Sequence, residues 1–158
     1  MSWSLELQDP NTHECIHIND KHFMFGPNIC FGGSDRLSFD ITYNYGKMYR
    51  KVRFHPHDIY GKTGMEAIPI LQDAIKKLKE LDNEEETRKI LEEDKEAREK
   101  IRKEYEDGKL SETTFSLLYD NERSPNDYWF PSPEHSITAL ECLVKLSEMA
   151  LDGVWEGD

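Results

Sequence analysis

At 158 residues the chain has room for one ordinary hydrophobic core and not for two. A net charge of −12, with 33% charged residues and a mean hydropathy of −0.78, argues against direct binding of duplex nucleic acid or an anionic membrane, because most of the surface repels phosphate. No apolar run is long enough to span a bilayer, the opening MSWSLELQDP lacks the basic and apolar regions of a secretion signal, and Cys15, Cys30 and Cys142 form no CxxC pair; a soluble, reduced, cytoplasmic protein is expected.

The first 44 residues alternate as strands do. Trp3, Leu5 and Leu7 share a face, as do Ile16 and Ile18, and again Leu37, Phe39, Ile41 and Tyr43. Asn19-Asp20 and Gly32-Gly33-Ser34-Asp35 carry turn chemistry between these runs. They predict an antiparallel sheet of about four strands. From Tyr45 to Phe54 the spacing turns helical, with Tyr45, Met48, Tyr49 and Val52 on one side, and His55-Pro56-His57 ends that turn.

Thr63-Gly64-Met65-Glu66 is a capping box, because the Thr hydroxyl and Glu carboxylate can each take an N–H group that a helix start leaves unbonded. Ala67, Ile68, Leu71, Ala74, Ile75 and Leu78 form the buried stripe that follows, with Pro69 predicting either a kink or a start at Ile68. Residues 83–108 read as a solvated helix with a narrow seam of Ile90, Ala97, Ile101 and Tyr105, with a projecting arm or coiled-coil contact as the alternative. Ser111 caps a short helix to Tyr119, and Ser132 followed by Pro133 starts a last helix that runs to about Leu151 and stops at Asp152-Gly153. Tyr128, Trp129 and Trp155 are expected to pack on that helix, with the wall of a pocket as their functional alternative. The whole predicts a single α+β domain over 1–158, strand-rich in 1–44 and helical in 45–158, with three to five helices.

Two metal patterns and one phosphate pattern present themselves. His13-Glu14-Cys15-Ile16-His17 matches the H-E-x-x-H string of zinc proteases, but it lies in an alternating run, where residues four apart are separated by roughly 13 Å instead of meeting on one helix face. His55 and His57 flank a proline in a loop and lack a third ligand at a telling spacing, so no metal and no cofactor is assigned. Gly61-Lys62-Thr63 looks like the end of a P-loop, but the required first glycine is Pro56.

The strongest chemical signal is Lys47 to Lys62, a basic and aromatic island in an acidic chain. Lys47, Arg50, Lys51, Arg53 and Lys62 face a single acid, Asp58, with tyrosines interleaved. Tyr45, Tyr49, Arg50, Arg53, Tyr60, Lys62 and Thr63 could together stack a base and hold phosphates at a helix start. They are the candidate ligand-binding residues, and no catalytic residue is assigned.

Ile41-Thr42-Tyr43-Asn44-Tyr45, Ile59-Tyr60-Gly61-Lys62-Thr63-Gly64, Asp127-Tyr128-Trp129 and Asp152-Gly153-Val154-Trp155-Glu156-Gly157-Asp158, taken as an ordered set, resemble a group of small uncharacterised bacteriophage and prophage proteins. The resemblance implies an accessory protein acting in the cytoplasm of a bacterial host, and makes the charged stretch of about 83–124 an insertion. The first reading is therefore a non-enzymatic binding protein that modulates or inhibits a host defence system by occluding a protein partner, such as a basic nucleic-acid-binding or defence protein. The second is a binder of a small anionic nucleotide signal through the island, and the third a small hydrolase with His55 or His57 as general base. Self-association into a homo-oligomer is left open.

Overall fold

The computed structural model of the protein describes residues 1–25, 28–31, 34–120 and 123–158. Alternation in the first segment produces strand β1, Ser2–Gln8, with Leu5 and Leu7 buried and Ser4, Glu6 and Gln8 on the opposite face. Strands β2 (His17–Phe25), β3 (Asn28–Phe31), β4 (Ser34–Arg36) and β5 (Ser38–Thr42) follow. A turn of 3₁₀-helix, Tyr43–Tyr45, leads into α1 (Gly46–Lys51), and a second, Pro56–Ile59, leads towards α2 (Gly64–Lys79). Helices α3 (Asn83–Glu106), α4 (Glu112–Tyr119) and α5 (Pro133–Met149) precede a final strand, β6 (Val154–Gly157).

The fold is α+β, with the strands divided between two three-stranded antiparallel sheets, ordered β5-β1-β6 and β3-β2-β4. The region expected to be helical to its end therefore closes with a strand. Four residues are too few to announce a strand by alternation, and β6 is fixed by pairing with β1, where Leu7 opposes Trp155 and Glu6 opposes Glu156. Asn19 and Asp20, expected to form a turn, run within β2, whose pairing with β4 shifts register between His17 and His22. Such an irregularity lets turn-forming residues sit inside a strand. The turn expected at Gly32-Gly33 lies outside the described residues.

The capping box forms as expected: Glu66 N–H donates to Thr63 Oγ1 at 3.2 Å and Thr63 N–H to Glu66 Oε2 at 2.9 Å. Helix α2 begins at Gly64 and carries Pro69 within it, exposed, so the later start at Ile68 is not used. Its stripe packs on α5, the largest contact between helices, and the start of α2 lies against the end of α5. A Cβ on Gly64 would fall 2.6 Å from the Ala150 carbonyl oxygen. Glycine is needed there for approach, not for its dihedral freedom.

One apolar cluster fills the interior, drawing Leu5, Leu7, Ile41, Met48, Leu71, Leu78, Leu143 and Trp155 from both chain ends and the helices between. Trp155, fully buried, donates its indole N–H to Ser147 Oγ at 2.9 Å, and Ser147 Oγ donates in turn to the Leu143 carbonyl at 2.8 Å. Replacing the hydroxyl leaves a buried donor without an acceptor. Ser147→Ala is expected to lower unfolding free energy by about 1–3 kcal/mol in urea denaturation, although it deletes a single oxygen.

Candidate functional site

The basic island meets its anion inside the molecule. Lys47 and Lys51 stand one turn apart on α1 and pair with Glu93 and Glu86, two turns apart on α3. Glu86 is buried, and the hydrogen bond and charge of Lys51 hold its carboxyl below the ordinary glutamate range against the opposing effect of burial. Two of the island's five cations, Lys47 and Lys51, are thus answered by the charged helix.

The seven candidate ligand-binding residues do not converge. Tyr45 and Tyr49 are core residues, 0% and 1% exposed, with the Tyr45 hydroxyl donating to the Tyr128 carbonyl and that of Tyr49 to the Ser136 carbonyl at 3.2 Å. Burial raises both phenols well above the ordinary tyrosine range. Neither can stack on a ligand. The interleaving of bases and aromatics that suggested a surface patch also fits a helix with one buried face. Arg53 adopts a left-handed φ of 56° after α1 and lines a shallow groove of about 350 Å³ with Asp58 and Asp73. Thr63 is committed to its cap, and the backbone of Lys62 accepts a hydrogen bond from Trp155 N–H at 2.9 Å.

Arg50 and Tyr60 belong instead to a surface row of rings that the sequence did not predict. Tyr43 and Trp3 lie 4.6 Å apart between centroids, Trp3 and His55 5.4 Å, His55 and His57 4.4 Å, and His57 and Tyr60 4.7 Å. A Cβ on Gly46 would meet Trp3 at 3.2 Å and Arg50 Nη1 at 3.3 Å, so ring and guanidinium close over the α1 backbone there. His55 Nδ1 accepts the His57 N–H at 3.2 Å, which places the proton of the neutral ring on Nε2. Partial burial first, then His57 and Arg50, lower its pKa and keep it neutral. A general base at His55 would have to use the nitrogen that already carries a proton. Among the described residues no three His, Cys, Asp or Glu side chains are grouped to hold a metal.

The row ends at an acidic face. Tyr60 donates to the backbone oxygen of Asp158 at 3.2 Å, and its ring lies so close over Gly157 that a Cβ there would fall 2.4 Å from the hydroxyl. Beyond it, the outer side of the β5-β1-β6 sheet forms an open cleft of about 690 Å³ lined by Glu6, Asp40, Glu156 and Asp158. Arg36 crosses it to Glu6 at 2.7 Å, and hydrogen bonds from Gln8 and Arg36 keep Glu6 ionised. Glu156 still faces Glu6 directly across the strands.

Trp129, expected in the core, is 57% exposed and borders a groove of about 780 Å³ beside Leu91, Leu118 and the Arg123–Asp94 pair. Its carbonyl accepts from Asn44 Nδ2 at 3.1 Å. That bond and the Tyr45–Tyr128 bond join two of the four segments taken as an ordered set in the sequence; the other two, Ile59–Gly64 and Asp152–Asp158, pair with each other through Gly61, Lys62 and Gly64. The motif set is thus a set of structural contacts. Compared with known protein families, curated proteins and solved structures, the chain finds no match in any of the three.

The α1–α3 pairing carries a pH signature. Because Glu86 binds its proton less readily folded than unfolded, its contribution is complete above the ordinary carboxylate range and is lost as pH falls below about 4. Lys51→Met is expected to cost about 1 kcal/mol at neutral pH and to flatten the acid limb of a urea-midpoint-versus-pH curve.

Proposed function

We propose that the protein is a non-enzymatic, phage-type accessory protein that binds a protein of its bacterial host and modulates or inhibits the system to which that protein belongs, a defence system in the first instance. The observation that carries this reading is the continuity of a surface aromatic row, exposed at Tyr43, His55 and His57 and half-buried at Trp3 and Tyr60, with an acidic, open sheet face. Rings supply contact area at low entropic cost, and the carboxylates favour a basic partner and steer its approach. The opposed Glu6–Glu156 pair supports it further, since Arg36 answers Glu6 alone and Glu156 adds negative charge to the same face. Binding of a small nucleotide is the weaker reading, because Tyr45 and Tyr49 are interior and Arg53 lies among carboxylates.

Glu156→Lys provides the test. Exchanging a like-charge pair for an opposite-charge pair is expected to leave the fold intact or about 0.2–1 kcal/mol more stable. The same exchange should weaken capture of a host protein that the wild type retains at low ionic strength and releases at high. Equal capture by both proteins would overturn the acidic-face reading. A stoichiometric nucleotide adduct in native mass spectrometry, abolished by Arg50→Ala with Lys62→Ala, would replace it with the ligand-binding one.

A further inference from the structure

Strand β5 is an edge strand, and its register settles which backbone groups face outward. Leu7 N–H donates to the Leu37 carbonyl at 2.9 Å, and Leu5 opposes Phe39 and Trp3 opposes Ile41 in the same phase. Backbone groups alternate in direction along an antiparallel ladder. Leu37, Phe39 and Ile41 therefore turn towards β1, while Ser38 and Asp40 present N–H and C=O away from the sheet. Among the described residues, neither takes a backbone partner on that side.

An added strand would find different chemistry on its two faces. One face continues the acidic surface, with exposed Asp40 nearest and Glu6 beyond; the other continues past half-buried Phe39 at the margin of the core. Resting on the host-protein reading above, we infer that β5 is the docking edge for an extended partner segment in which lysine or arginine alternates with apolar residues. The segment adds as a fourth strand, its cations over Asp40, because Glu6 is already paired with Arg36, and its apolar side chains beside Phe39. A second copy of this chain is a poor occupant, because β5 against β5 sets Asp40 near Asp40 and joins two acidic faces.

The probe is a capped peptide of about six residues alternating lysine and valine, titrated into the full chain at low ionic strength by calorimetry and by amide chemical shifts. Saturable binding with shifts centred on residues 38–42 is expected. Asp40→Pro removes an outward N–H and leaves the bonds to β1 in place, so it should weaken binding about tenfold, and Asp40→Asn should weaken it less. N-methylating alternate amides of the peptide should have the proline effect on the wild-type protein, which decides the matter if Asp40→Pro does not fold. Unchanged affinity for the methylated peptide, or shifts centred elsewhere, would overturn strand addition. So would absence of peptide binding by a protein whose host partner is still lost on Glu156→Lys; that outcome leaves the host-protein reading standing without this edge.

Discussion

The structure depends on the way its last segment is held from both sides. On one side β6 pairs with β1; on the other, Gly61 N–H donates to the Trp155 carbonyl at 2.8 Å, Gly64 N–H to that of Gly153 at 2.8 Å and Met65 N–H to that of Leu151 at 3.0 Å. Between these ladders Trp155 enters the core and finds Ser147. The first strand, the start of α2, the end of α5 and the last strand are thereby fixed relative to one another. Two glycines make the approach close enough: Gly64 lies under the end of α5 and Gly157 under Tyr60.

That arrangement creates the candidate surface. Drawing β6 alongside β1 adds Glu156 and Asp158 to Glu6 and Asp40 on one sheet face, and brings Tyr60 to its rim. Trp3 sits at the start of β1, where the sheet ends, so its ring rests on α1 and reaches Tyr43 and His55. Protein surfaces usually disperse like charge and bury large rings. Here both are concentrated on one side.

The charged helix has a different role from the one its composition suggests. Its carboxylates at Glu86 and Glu93 neutralise Lys47 and Lys51, and Ile90 between them is buried in the common core. Of the expected seam, Ala97 and Tyr105 remain exposed, so the helix docks through its first half while its second half contacts α4, where Tyr105 stacks on Phe115 at 4.3 Å. The result is an arm that extends the surface beside Trp129.

Local physics was legible in the sequence. The capping box at Thr63–Glu66, the caps at Ser111 and Ser132, the stripe along α2 and the alternation of β1 and β5 each depend on neighbours within a few residues, and each appears in the structure. The α+β class followed from them. What the sequence could not decide was which face of each element would meet which other. Tyr45 and Tyr49 looked like ligand-stacking residues because interleaved bases and aromatics mark a binding patch and a helix packed on a core alike. Trp129 looked like core because apolar size alone does not place a ring. The lysines of α1 advertised an anion that proved to lie on α3, some forty residues along the chain. Composition and spacing set the elements and the net charge; tertiary packing alone decided which charges are neutralised and which remain, because that depends on contacts between residues distant in sequence.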